Sequence, residues 1–70
     1  MLDKYRQNVA EFDLEVGDII YATDTILGDM ARFRVKFISK QVFEAERVDM
    51  TAQVRGFRKM DYQLGFITKK

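Results

Sequence analysis

Seventy residues with a formal net charge of +1, 47% apolar and 33% charged, describe one small globular domain spanning 1–70 rather than a disordered chain. There is no cysteine and no histidine. That removes disulfides, thiolate zinc sites and the usual imidazole ligands and bases, so no cofactor, no metal site, no catalytic residue and no enzymatic activity are expected.

No apolar run approaches the roughly 20 residues of a membrane span, and the first residues, M-L-D-K-Y-R-Q, lack the apolar core of a secretion signal. The expectation is a soluble, cytoplasmic chain with no membrane partner. A core this small seldom supplies more than about 3–5 kcal/mol unaided. With disulfides and zinc excluded, self-association is the remaining common support. Charge is uneven: residues 1–29 hold seven acids and two bases, and the remainder holds ten bases and four acids. Either the two halves neutralise each other on folding or the basic half meets an anionic partner.

Leu2, Tyr5, Val9 and Phe12 fall at steps of three, four and three, which predicts a short amino-terminal helix over 1–13. Residues 14–67 read as a β-meander. Leu14, Val16, Gly17 and Asp18 lead into a β-branched run, Ile19 to Thr23. A turn follows over Thr25 to Asp29. The strand Met30 to Ser39 is the clearest in the chain, with Phe33, Val35 and Phe37 alternating with Arg32, Arg34 and Lys36. A hairpin centred on Leu27 would set Tyr21 against Phe33, Ile19 against Val35 and Asp18 against Lys36.

A second hairpin, centred on Lys40, would set Phe37 against Phe43, Val35 against Ala45, Lys36 against Glu44 and Arg34 against Glu46. Apolar residues then change parity, from Phe43 and Ala45 to Val48, Met50, Ala52 and Val54. One extra residue near 46–48, a β-bulge, would reconcile them and curl the sheet. A third hairpin centred on Phe57 would set Val54, Ala52, Met50 and Val48 against Met60, Tyr62, Leu64 and Phe66. Its tip would be Arg55 to Lys59, and residues 68–70 would be a loose tail. The predicted fold is mostly β (α+β): a short helix, then a strongly curled antiparallel meander of four or five strands, forming a small SH3-like barrel.

Catalytic pairings are thin. Ser39 beside Lys40 reads as a turn serine, and Glu44 with Glu46 reads as salt-bridged neighbours of Arg34 and Lys36 rather than as ligands of a hard cation. The tip is the most suggestive surface, with three bases around one aromatic. R-G-F-R-K-M-D-Y resembles the RNP1 pattern of RNA-recognition motifs at its first three residues and its last, and departs from it at Arg58 and Lys59.

V-G-D-I-I-Y-A followed by A-R-F-R-V-K-F-I resembles the opening strands of SH3-like and Tudor barrels, over about a third of the chain. The later half lacks an aromatic-cage pattern. A helix followed by a small barrel with V-R-G near its end is also similar to Sm-type RNA-binding rings, without the aspartate and asparagine signature of the first Sm motif. These resemblances imply a small barrel and leave function open.

Two functions follow as expectations. The first is a non-enzymatic interaction module that binds protein or copies of itself. Its contact residues would be Ile20, Ile26, Leu27, Ile38 and Val42, which lie off the predicted inner face or in turns. The second is nucleic-acid binding, to RNA or single-stranded DNA, through Arg32, Arg34, Arg55, Phe57, Arg58 and Lys59. A sequence pI of about 8.0 lies below the usual level for such domains.

Overall fold

The computed structural model describes residues 11–70. Five strands form one antiparallel sheet: β1 (Ile19–Thr23), β2 (Met30–Ile38), β3 (Val42–Arg47), β4 (Val54–Arg58) and β5 (Thr68–Lys69). A five-residue helix, α1 (Lys59–Gln63), separates β4 from β5. The sheet order is β4-β3-β2-β1-β5, so four strands run as a meander and the last returns to pair with β1. The sheet does not close: β4 and β5 are its two edges among the described residues, which corrects the expected strongly curled barrel. Of the amino-terminal helix expected over 1–13, residues 1–10 lie outside the described residues, and 11–13 are not helical. No helix among the described residues is long and apolar enough to cross a membrane.

The central strand β2 behaves as its alternation dictates. Ala31, Phe33 and Val35 point into the core, and Arg32 and Arg34 point to solvent. Phe33, Phe43, Val35 and Ile20 are fully buried. Phe57 bridges two of them: its ring meets Phe33 edge-on at 5.1 Å and stacks on Phe43 at 5.5 Å between centroids.

The β2–β3 hairpin keeps two predicted pairs, Val35 with Ala45 and Arg34 with Glu46. A bulge then intervenes between Val35 and Phe37. Phe37 faces Glu44 and is 56% exposed, while Ile38 takes the place opposite Phe43. The bulge predicted near 46–48 is not there; the pairing of β2 with β3 is interrupted in β2 instead. The interruption has a local cause: Val35 also exchanges backbone hydrogen bonds with the preceding segment, donating to Asp18 O and accepting from Gly17 N–H, both at 2.8 Å. Gly17, at φ +100°, permits that approach.

Between β1 and β2 the register differs from expectation by one residue. Ile20 faces Phe33 and Tyr21 faces Arg32. The turn is responsible. Asp24 N–H donates to Asp29 O at 2.7 Å, and Asp24 O accepts from Gly28 N–H at 2.8 Å, so the loop centres between Ile26 and Leu27 rather than on Leu27. Because side chains alternate, this single step moves Ile20 and Ala22 into the core and leaves Tyr21 41% exposed.

The third hairpin is also corrected. β4 pairs back onto β3, with Phe43 opposite Phe57 and Ala45 opposite Arg55. Residues 48–53 form its turn, and Met60 and Tyr62 lie on α1 instead of a strand. The change of apolar parity after Ala45 is not a bulge: two arginines, Arg47 and Arg55, occupy inward positions and displace Val48, Met50 and Val54 to the surface. The expected loose tail is β5, and Lys70 N–H closes it by donating to Ile19 O at 2.9 Å.

α1 is held by the segment before β1. Tyr62 Oη donates to Asp13 Oδ1 at 2.5 Å, and the Phe12 ring stands edge-on to Tyr62. The Asp13 carboxylate, with burial second, pushes the Tyr62 phenol up to about 12. A raised folded-state pKa means that this contact contributes fully below the ordinary tyrosine value of about 10, and is lost as pH climbs from there toward 12. In a spectrophotometric titration of tyrosinate, one phenol should ionise late. Asp13→Asn should return it toward its ordinary value; a Tyr62 that already titrates normally in the parent would contradict the contact.

Candidate functional site

Three regions of the sheet carry chemistry: a buried charge cluster at one end, a groove at the other, and the solvent face between them.

The cluster joins the β1–β2 turn to the β3–β4 turn. Asp24 is fully buried, and Arg47 and Arg55 are 5% and 6% exposed. Asp24 Oδ1 accepts from the backbone N–H groups of Ile26 and Leu27 at 2.9 and 3.0 Å, and from Arg55 Nε at 2.9 Å. Asp24 Oδ2 accepts from Arg47 Nη1 at 2.9 Å. Arg47 also pairs with both oxygens of Asp29, at 2.7 and 2.6 Å, and reaches Asp49 from Nε at 2.6 Å. Arg55 Nη2 donates to Gln53 Oε1.

The Arg55 guanidinium, then the turn N–H groups and Arg47, hold the Asp24 carboxyl well below the usual carboxylate range against the opposing effect of burial. Arg47 likewise holds Asp29 and Asp49 down, and the three acids hold its own guanidinium up. Among the described residues no buried side-chain N or O atom lacks a partner. The buried donors and acceptors of this cluster are spent on tying the β1–β2 turn to β3 and β4, so its role is architectural.

This arrangement dismantles the expected basic tip. Arg55 and Phe57 face inward, the one onto Asp24 and the other into the core, because β4 is a strand and not a turn. Arg58 pairs with Asp61 at 2.9 Å, and Lys59 Nζ lies 4.8 Å over the Phe12 ring. The expected apolar patch is dispersed as well. Ile20 is core; Ile26 and Leu27 stand exposed on the β1–β2 turn; Ile38 and Val42 flank the β2–β3 turn. The length of β2, roughly 25 Å, separates the two turns. Ser39 Oγ donates to Val42 O, as a turn serine does, and Glu46 pairs with Lys36 at 3.9 Å. Among the described residues no group of three or more metal-ligating side chains converges.

The groove at the β2–β3 end holds about 550 Å³ between α1 and the start of β3. Its lining combines apolar Phe12, Val42 and Met60 with basic Lys40, Arg58 and Lys59.

On the solvent face, Tyr21, Arg32 and Arg34 come together. Tyr21 lies directly across from Arg32, and Ile19 and Glu46 flank Arg34 on either side. Val48 N–H donates to Arg32 O at 3.0 Å and ties the β3–β4 loop to β2. Val48 and Asp49 line two neighbouring hollows: one of about 180 Å³ shared with Tyr21, Met30 and Arg32, and one of about 270 Å³ shared with Arg34, Glu46 and Met50. Alternation along β2 had indicated Arg32 and Arg34. Tyr21 was missed because the one-residue register step put it on the wrong face. The Asp24 cluster was missed although a signal existed: Arg47 and Arg55 share odd parity with Phe43, Ala45 and Phe57. Comparison of the chain with known protein families, with curated proteins and with solved structures finds no match.

Proposed function

We propose that this chain is a non-enzymatic interaction module, and that it associates with a second copy of itself through the edge of β4, which no described strand covers. The observation that carries this reading is the contrast between the two sheet edges. β5 is two residues long, Thr68–Lys69, and Lys70 follows it, and a short, lysine-bearing strand is how natural sheets blunt an edge. β4 has five residues, no proline and no bulge in its pairing.

The hydrogen bonds Arg47 N–H to Gln53 O and Lys59 N–H to Gln41 O bracket the β3–β4 ladder. Odd positions from 53 to 59 therefore face β3, and Val54, Gly56 and Arg58 turn their backbone groups outward. Two such edges are self-complementary when antiparallel: Gly56 meets Gly56 of the copy, and Val54 meets Arg58. The pairing has two-fold symmetry and buries Val54, which is 47% exposed in the single chain.

Sedimentation equilibrium over a wide concentration range should report a monomer–dimer equilibrium. The Gly56 amide should exchange with solvent more slowly as concentration rises. Val54→Lys, at an exposed position, should restore the monomer without unfolding it. A chain that stays monomeric throughout, with Gly56 exchange independent of concentration, would remove the proposal.

A further inference from the structure

Arg32 and Arg34 project from neighbouring same-face positions of β2, about 7 Å apart along the strand. Two like charges at that spacing repel each other, and folding normally supplies an acid. Here the two nearest acids are engaged elsewhere, and Glu44, on the same face, lies across from Phe37 rather than from either arginine. Glu46, directly across from Arg34, gives its carboxylate to Lys36 at 3.9 Å and to Ala52 N–H at 3.1 Å. Asp49, which lines both hollows, gives both oxygens to Arg47. Among the described residues neither Arg32 nor Arg34 makes a side-chain hydrogen bond or ion pair, whereas Arg47, Arg55 and Arg58 all do. Tyr21 stands beside them, an aromatic on the solvent face with only Thr68 and Arg32 across from it.

We propose that this face binds single-stranded nucleic acid, with Tyr21 stacking against a base and Arg32 and Arg34 each contacting a phosphate. Charge complementarity calls for an anion, and two guanidiniums on successive same-face positions call for a ligand whose charge repeats. A nucleic-acid backbone carries one phosphate per nucleotide and so supplies that repeat. The ring calls for a planar partner beside that charge, and only an unpaired strand can turn a base face toward it. The two hollows share Val48 and Asp49, and as neighbours they offer adjacent seats for successive nucleotides. No residue of the β4 edge takes part, so this binding goes beyond the self-association proposed above and does not depend on it.

The test is fluorescence anisotropy with a labelled oligothymidine and a labelled oligouridine, titrated with the full chain at several salt concentrations. Two phosphate contacts should give a log–log salt slope of about −1.4. Arg32→Gln with Arg34→Gln should flatten that slope and weaken binding. Tyr21→Ala should weaken binding roughly 5- to 150-fold at an unchanged slope, and Tyr21→Phe should restore it. All three residues are exposed, so circular dichroism should show the variants folded. The two oligonucleotides distinguish DNA from RNA as the source of the strand. Absence of salt-dependent binding to both, or binding untouched by the double arginine variant, overturns the proposal. So does equal affinity for a duplex of the same length, or preference for a phosphopeptide.

Discussion

Asp24→Asn is expected to lower the melting temperature by more than about 10 °C, or to abolish a cooperative transition altogether. The substitution keeps the shape of the side chain and removes its charge. Asp24 lies fully buried at the end of β1 and accepts from two guanidiniums and two backbone N–H groups. An amide would keep one oxygen for those donors and turn an NH₂ group toward the rest. Arg47 would still have Asp29 and Asp49, but Arg55 would be left in the interior with Gln53 and a backbone carbonyl as its remaining partners. Removing one partner of a buried ion pair is among the costlier single changes a domain can suffer, because the other charge stays behind without solvent. Thermal unfolding followed by circular dichroism measures the effect. A melting temperature within a few degrees of the parent would show that water reaches the cluster.

The same carboxylates set the response to acid. Asp24, Asp29 and Asp49 are all held below the ordinary carboxylate range, chiefly by hydrogen bonds from Arg55 and Arg47. A depressed folded-state pKa contributes stability that is present above the unfolded value of about 3.9 and is lost as pH falls through the depressed values. The domain should therefore hold its stability down to about pH 4 and lose it progressively below that. Asp24→Asn, lacking the strongest of these groups, should show a shallower decline over the same interval.

What could be read from the sequence depended on how far each inference reached along the chain. Alternation in β2 needed nothing outside the strand, and the faces of Phe33, Val35, Arg32 and Arg34 followed from it. The two β2–β3 pairs that held, Val35 with Ala45 and Arg34 with Glu46, needed only agreement between the two faces, whereas the pairs beside the turn shifted by one across the bulge. The β1–β2 register needed the turn geometry, and that was set by Asp24 backbone hydrogen bonds rather than by side-chain pattern. The β3–β4 hairpin needed the recognition that a core position can hold arginine, which is sound only once an acid from a distant turn is known to be there. Parity of apolar residues alone treated Arg47 and Arg55 as outward and so folded the second half the wrong way. The candidate site divides along the same line: its two arginines came from local alternation, and its aromatic came from register.

Ile20→Ala and Tyr21→Ala, adjacent in sequence, should have opposite consequences. Ile20 is fully buried opposite Phe33, and truncating it leaves a void in a core where Phe33, Phe43 and Phe57 are already in ring-to-ring contact. Isoleucine-to-alanine changes in such places cost about 2–5 kcal/mol. That is comparable to the roughly 3–5 kcal/mol a core of this size supplies, so the Ile20→Ala chain should be largely unfolded at room temperature. Tyr21→Ala removes an exposed cross-strand neighbour of Arg32, a contact worth about 0.2–1 kcal/mol, and should leave the fold intact. Urea denaturation of the two variants decides between the registers. With the turn centred between Ile26 and Leu27, position 20 dominates; with it centred on Leu27, Tyr21 would face Phe33 inside and the order would reverse. The pair also separates architecture from binding. If Tyr21 stacks on a base, its loss weakens oligonucleotide affinity at constant stability, whereas Ile20→Ala can reduce binding only in proportion to the folded fraction it removes.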